Sequence, residues 1–227
     1  MPFPGLAERK AEVEDRIAAA VARGGHGQAV TIVGVTKTHG PDAVRAAYEA
    51  GIRDVGENKV QEATKKISAV DVPVRWHLIG HLQRNKVKAL EHFVLLHSLD
   101  SGRLADAVCA YGLARGRAVD VLIELNLSGE EMKGGFSAGE LLPEAERLGA
   151  LPGIRVRGVM TMASFTAGQP ELHSTFAEAR AARQVLVEAG HPATELSMGM
   201  SNDYEIAVEE GATLVRLGTT LFGARAK

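Results

Sequence analysis

The sequence predicts a single (β/α)8 TIM barrel with an extra amino-terminal helix, residues 1–227 forming one domain. Three observations carry the prediction. Eight β-prone runs alternate with helical patterns over about 200 residues, more strands than an open doubly wound sheet usually holds. A helix-forming stretch precedes the first strand. No Gly-x-Gly-x-x-Gly turn follows that strand, where an open dinucleotide-binding sheet would place it.

The elements follow in order. Leu6 to Ala22 is rich in Ala, Glu and Arg and stops at Arg23-Gly24-Gly25, a helix with a glycine end, expected to cover the bottom of the barrel. Ala29 to Lys37 runs without a charge until its final lysine, the pattern of a strand buried on both faces. Pro41 suits the first position of the helix to Ala50. Strands are expected at Ile52 to Glu57, Val74 to Ile79, Phe93 to Ser98, Ala118 to Leu127, Arg155 to Met162, Thr194 to Met198 and Thr213 to Leu217. Helices are expected near Lys59 to Ala69, Gln83 to Glu91, Ser101 to Arg115, Ala138 to Leu148, Pro170 to Ala189 and Asp203 to Glu210, with Asp100 or Ser101 capping the third of these. A short final turn reaches Phe222.

Composition narrows the function classes. With 45% hydrophobic and 24% charged residues, a mean hydropathy of -0.02 and a net charge of -2, the chain has the balance of a soluble globular protein. That charge gives no electrostatic reason for nucleic acid or an anionic membrane as the main partner. Cys109 is the only cysteine, and no Cys/His spacing suggests zinc, so a reducing cytoplasm is the expected compartment. The first ten residues turn charged before any apolar run of signal-peptide length, and no segment reaches membrane-spanning length.

In such a barrel the residues at the carboxyl ends of the strands meet at one mouth. Lys37 stands at the first exit, Glu57 and Asn58 at the second, His77 at the third, His97 at the fourth and Asn126 at the fifth. Ser201-Asn202-Asp203 opens the helix after the seventh strand, and Arg216-Leu217-Gly218-Thr219-Thr220 closes the eighth. Hydroxyls and free N–H groups at a helix start suit a phosphate, and these two exits are where barrels often hold one. Each segment by itself also reads as a helix cap or an ordinary turn. Closure sets the eighth strand beside the first, so a phosphate on Ser201, Gly218 and Thr219 would lie within reach of Lys37. That amine would be either a counter-ion or the partner of an aldehyde such as pyridoxal 5'-phosphate. Arg216 would be an ion-pair member in the mouth or a donor to the pyridine nitrogen.

Five segments carry a resemblance. They are Gly34-Val35-Thr36-Lys37-Thr38, Gly56-Glu57-Asn58-Lys59-Val60-Gln61-Glu62, Trp76-His77-Leu78-Ile79-Gly80-His81-Leu82-Gln83-Arg84-Asn85-Lys86, Leu196-Ser197-Met198-Gly199-Met200-Ser201-Asn202-Asp203 and Val215-Arg216-Leu217-Gly218-Thr219-Thr220-Leu221-Phe222-Gly223. In this order they resemble the pyridoxal phosphate homeostasis proteins, the YggS/PROSC-like group, whose barrel is similar to that of alanine racemase. The resemblance implies pyridoxal phosphate on Lys37 through a reversible Schiff base, phosphate contacts from Ser201, Gly218 and Thr219, and Arg216 near the pyridine nitrogen. Asn58 and His77 would line the ring pocket or pack in the mouth. The chain departs from the family pattern at Thr36, where Ser would be expected, at His39-Gly40, where Lys or Phe and then Pro would be expected, and at Lys59, where an aromatic residue is usual.

Racemases of the related fold add a second domain with a tyrosine base, which is not expected here. Of Tyr48, Tyr111 and Tyr204, Tyr204 alone is expected near the mouth. The expected function is therefore intracellular cofactor homeostasis, holding and handing on pyridoxal phosphate with little or no catalysis. The alternatives are an amino-acid racemase using Lys37 with Tyr204 or His77, and a phosphosugar enzyme using Lys37 only as a charge. The expected partners are the cofactor and apo forms of the enzymes that use it, with no nucleic acid and no membrane, and the chain is expected to be a monomer. The Gly-rich loop Gly129 to Gly135, with Glu130, Glu131 and Lys133, is a candidate mobile edge for transfer.

Overall fold

The computed structural model describes residues 3–127 and 134–223. Eight parallel strands close in sequence order into one barrel: β1 (Thr31–Val35), β2 (Asp54–Glu57), β3 (Arg75–Leu78), β4 (Leu95–Leu99), β5 (Val119–Leu125), β6 (Ile154–Thr161), β7 (Glu195–Ser197) and β8 (Leu214–Leu217). The helices are α1 (Leu6–Gly24), α2 (Pro41–Glu49), α3 (Val60–Ala69), α4 (Gly102–Ala114), α5 (Leu141–Gly149), α6 (Gln169–Glu188), α7 (Tyr204–Glu209) and α8 (Thr219–Phe222). The expected local signals operate: Pro41 begins α2, Ser101 Oγ caps α4 by accepting from Leu104 N, and Gly25 ends α1 in a left-handed conformation at φ 71°.

Strand alternation decides which side chains enter the barrel. Val33, Leu95, Leu122, Met160 and Leu214 form a small apolar cluster of their own, and the remaining buried apolar side chains make a second, larger cluster. Arg216 lies two residues beyond Leu214, and Val35 two beyond Val33. The same alternation points both toward the mouth.

Three expectations need correction. The stretch expected as a helix at Gln83 to Glu91 is a 3-10 segment, Arg84–His92, in which Leu90 alone is buried; it has no apolar face to hold an α-helix. The amino-terminal helix lies along α7 and α8 at the barrel's closure instead of across its bottom. Arg23 Nε donates to Glu209 Oε1 at 2.6 Å and Arg9 Nε to the Leu221 carbonyl at 2.7 Å. Four-residue α8 is too short to cover that flank, and α1 covers it. The first strand also ends earlier than expected, at Val35, so Lys37 stands in the turn that follows.

Gly112, inside α4, faces the chain entering β6: a Cβ there would sit 2.0 Å from the Gly153 carbonyl oxygen. Helix propensity alone favours Gly112→Ala by about 1 kcal/mol. The close approach reverses the sign, and the variant is expected to lose about 1–3 kcal/mol in urea unfolding.

Candidate functional site

The Lys37 turn is held from below by a buried charge cluster. Lys66, on α3, is 3% exposed and Glu57, at the end of β2, is 0% exposed. Lys66 Nζ donates to Glu57 Oε1 and to the Thr36 carbonyl, both at 2.6 Å, and to Glu62 Oε1 at 2.8 Å. Thr36 Oγ1 donates to the same Glu57 oxygen at 2.5 Å, and Thr38 N donates to Glu62 Oε1 at 2.6 Å. Both neighbours of Lys37 are thus tied to one ion-pair network. Burial pushes the Glu57 carboxyl up, against the pull of Lys66 and Thr36, and its second oxygen has no partner among the described residues.

Thr38 adopts φ +69°, a left-handed conformation that a β-branched residue rarely takes. Such strain persists only where surrounding contacts impose it, here through Glu62. The next residue, His39, packs its ring 5.6 Å from Phe222 and 5.3 Å from Phe3, centroid to centroid, so this departure joins the turn to the end of α8.

Above the turn lies a cavity of about 650 Å³ at the carboxyl end of the barrel. Lys37, Asn58, Ser201, Arg216, Gly218 and Thr219 all line it, so the structure gathers six of the seven expected residues around one space. Ser201 Oγ accepts from Thr220 N at 3.2 Å, tying the β7 exit to the start of α8. Arg216 Nη1 donates to the Ser197 carbonyl at 2.7 Å and Nη2 to the Thr161 carbonyl at 2.9 Å. Burial pulls its guanidinium down to about 10, which leaves it charged at neutral pH.

His77 is the exception. Its ring is 4% exposed, does not line the cavity, and has both nitrogens engaged, with Asp54 Oδ1 at 2.8 Å and His97 Nε2 at 2.9 Å. It projects from mid-strand into the barrel, and the contact expected at its strand's exit falls to Ile79 and His81. Tyr204 opens α7 directly after Asp203, which lines the cavity, but its side chain is buried with Arg16 as its neighbour and does not line the Lys37 cavity. Lys59 is exposed and does not line the cavity either. Of the Gly129 to Gly135 loop, Gly134 lines the cavity, while Gly129, Glu130, Glu131 and Lys133 lie outside the described residues.

Comparison with known proteins shows the family. A family model described as alanine racemase, N-terminal domain, matches residues 11–226. The pyridoxal phosphate homeostasis protein of Aquifex aeolicus (strain VF5) is 42% identical over 222 residues, which cover 96% of this chain and 97% of that protein. The chain belongs to the pyridoxal phosphate homeostasis protein family. A solved structural neighbour, PipY of Synechococcus elongatus PCC7942 with PLP bound, superposes with a TM-score of 0.85 at 37% identity, covering 96% of this chain and all of PipY. Alanine racemase from Corynebacterium glutamicum shares the fold, with a TM-score of 0.72 at 18% identity over 94% of this chain and 62% of its own length.

Two parts of this family member's site were missed from the sequence. The Glu57, Glu62 and Lys66 cluster carries one visible signal, the i,i+4 spacing of Glu62 and Lys66 on a helix. Glu124 lines the cavity from β5, and its carboxyl is raised to about 7 by burial first and by Asp100 second, against Arg216 and His81. Its signal is an acid that, with Asp120, interrupts an otherwise apolar strand.

Lys66→Met leaves Glu57 buried without its counter-charge. It is expected to lower unfolding free energy by about 3–5 kcal/mol near neutral pH, with part recovered when Glu57→Gln is added. Glu124 binds its proton more tightly folded than unfolded, so its burial weakens the fold as pH rises from the ordinary 4.5 through about 7. Urea titrations of Glu124→Gln are expected to match the parent at acid pH and to exceed it by about 2–3 kcal/mol above neutrality.

Proposed function

We propose that this chain binds pyridoxal 5'-phosphate at Lys37 and serves intracellular cofactor homeostasis, holding the cofactor and handing it on with little or no turnover. The observation that carries the proposal is a single cavity uniting Lys37, Arg216 and the Ser201 and Gly218-Thr219 edges, in a family whose member PipY has been solved with PLP bound. The volume, the charged donors and the amine fit a phosphorylated aromatic aldehyde. Lys37 offers the amine. Ser201, Gly218 and Thr219 take the phosphate, Arg216 donates toward the ring nitrogen, and Asn58 flanks the ring. When bound, pyridoxal phosphate supplies an aldehyde that reacts reversibly with amines. An arginine beside the ring nitrogen favours its unprotonated form, which makes the ring a weak electron sink and suits storage over turnover.

The recipients are apo forms of the enzymes that use the cofactor, with no role for nucleic acid or a membrane. No helix among the described residues is long and apolar enough to cross a membrane, and the lone Cys109 suits the reducing cytoplasm. The chain acts as a monomer. The racemase alternative keeps one specific support: Glu124, raised to about 7, lines the same cavity as Lys37 and has the proton affinity a general acid–base needs.

Pyridoxal phosphate added to the purified protein is expected to give an absorbance band near the visible edge. Borohydride is expected to remove the band and add mass at Lys37. Lys37→Ala should lose both, and a band that survives in that variant would refute the assignment. The loaded protein should restore activity to an apo enzyme, whereas solvent deuterium entering an amino acid's α-position, lost in Glu124→Gln, would establish the racemase instead.

A further inference from the structure

Beneath the cavity a chain of polar side chains crosses the barrel interior. It starts at Asp54 on β2, where Arg75 Nη2, from an exposed side chain, donates to Oδ2 at 2.5 Å. Asp54 Oδ1 meets His77 Nε2 at 2.8 Å, His77 Nδ1 meets His97 Nε2 at 2.9 Å, and His97 Nδ1 meets Ser197 Oγ at 2.8 Å. Arg216 Nη1 donates to Ser197 Oγ at 2.6 Å and completes the chain at the cavity floor. Its members come from β2, β3, β4, β7 and β8, and each from Asp54 to Arg216 is at most 4% exposed.

Hydrogen counting fixes its direction. The Asp54 carboxylate only accepts, so with neutral rings His77 donates to it from Nε2 and accepts at Nδ1, and His97 in turn accepts the Ser197 hydroxyl hydrogen at Nδ1 while Ser197 Oγ accepts from Arg216. His97 then carries its proton on Nε2 and donates to His77 Nδ1, and His77 donates from Nε2 to the Asp54 carboxylate. Every donor meets one acceptor with both imidazoles neutral. Adding a proton at His77 would reverse the two middle links and strand the Ser197 hydrogen in a buried site, an expensive outcome.

We propose that Asp54, His77, His97 and Ser197 are positioning residues that hold the Arg216 guanidinium in one orientation toward the ring nitrogen of the cofactor. The inference deepens the proposed function and rests on it for the identity of the ligand. Burial first, and the nearby Arg216 charge, hold the His97 imidazole well below its ordinary range, in keeping with a neutral ring. The charged groups around the chain are Asp54 on β2, Arg75 on β3, Glu124 on β5, Asp203 before α7 and Arg216 itself on β8; Glu124 and Asp203 both favour the charged guanidinium.

The test has two arms. Without cofactor, long-range 15N–1H spectra of the histidine side chains are expected to show the neutral forms of His77 and His97 as Nε2–H tautomers. Ser197→Ala should shift the His97 Nδ1 resonance. With cofactor, Ser197→Ala and His97→Gln should still gain mass at Lys37 on borohydride treatment. Both should bind pyridoxal phosphate about three- to tenfold more weakly, with an absorbance band whose position varies with pH more than the parent's. An Nδ1–H tautomer at His97, or affinities and bands equal to the parent's in both variants, overturns the proposal. Should the parent fail to bind pyridoxal phosphate, the ligand assignment falls, and the cofactor-free spectra still decide whether the chain is ordered as described.

Discussion

The parallel pairing of β8 with β1, which closes the barrel, is the constraint on which the site depends. The register sets Val33 beside Arg216 and Gly34 beside Leu217. Each step along a strand reverses the side chain, so this one pairing decides that Arg216 and Val35 rise on the inner face while Leu217 turns outward. Gly218 then arrives where the first strand ends, and a Cβ there would sit 3.5 Å from the Val35 carbonyl oxygen. A shift of one residue would send Arg216 out among the helices and leave the mouth without its cation.

The two sides of the mouth are stabilised by different physics. On the Lys37 side, a desolvated ion pair fixes the backbone on either side of the lysine, and its geometry is good enough to impose a left-handed threonine. On the Arg216 side the anchors are neutral: two carbonyls and a hydroxyl. The groups that touch the guanidinium are neutral, while the Asp203 and Glu124 carboxyls favour its charge from across the same cavity. Lys66 is neutralised where it stands, and its charge does not compete with Lys37 for an anion.

Much of the fold was legible because its signals are local. Pro41, Ser101 and Gly25 act through their own φ angles and side chains, and the alternation of β-prone runs with helical runs needs no partner to be seen. The site residues Lys37, Arg216, Ser201 and Gly218 were legible only through topology, since the closed order of the strands turns distant exits into neighbours. What stayed hidden depends on tertiary pairing. His77 reads from the sequence as a strand-exit residue that lines the ring pocket or packs in the mouth; its place inside follows from Asp54 and His97, which engage both of its nitrogens from the two neighbouring strands. The cluster at Glu57 and Lys66 was invisible for the same reason. The position of α1 depended on how short α8 is, a length its four residues do not announce.

Arg75 lies on the underside of the molecule, on the face of such barrels where residues are commonly taken to serve stability alone. Its side chain is 60% exposed, and a map of the cavity lining would leave it out. Yet it balances the carboxylate that orients the first imidazole of the interior chain. One unbroken line of contacts thus joins the solvent below the barrel to the floor of the cavity above it.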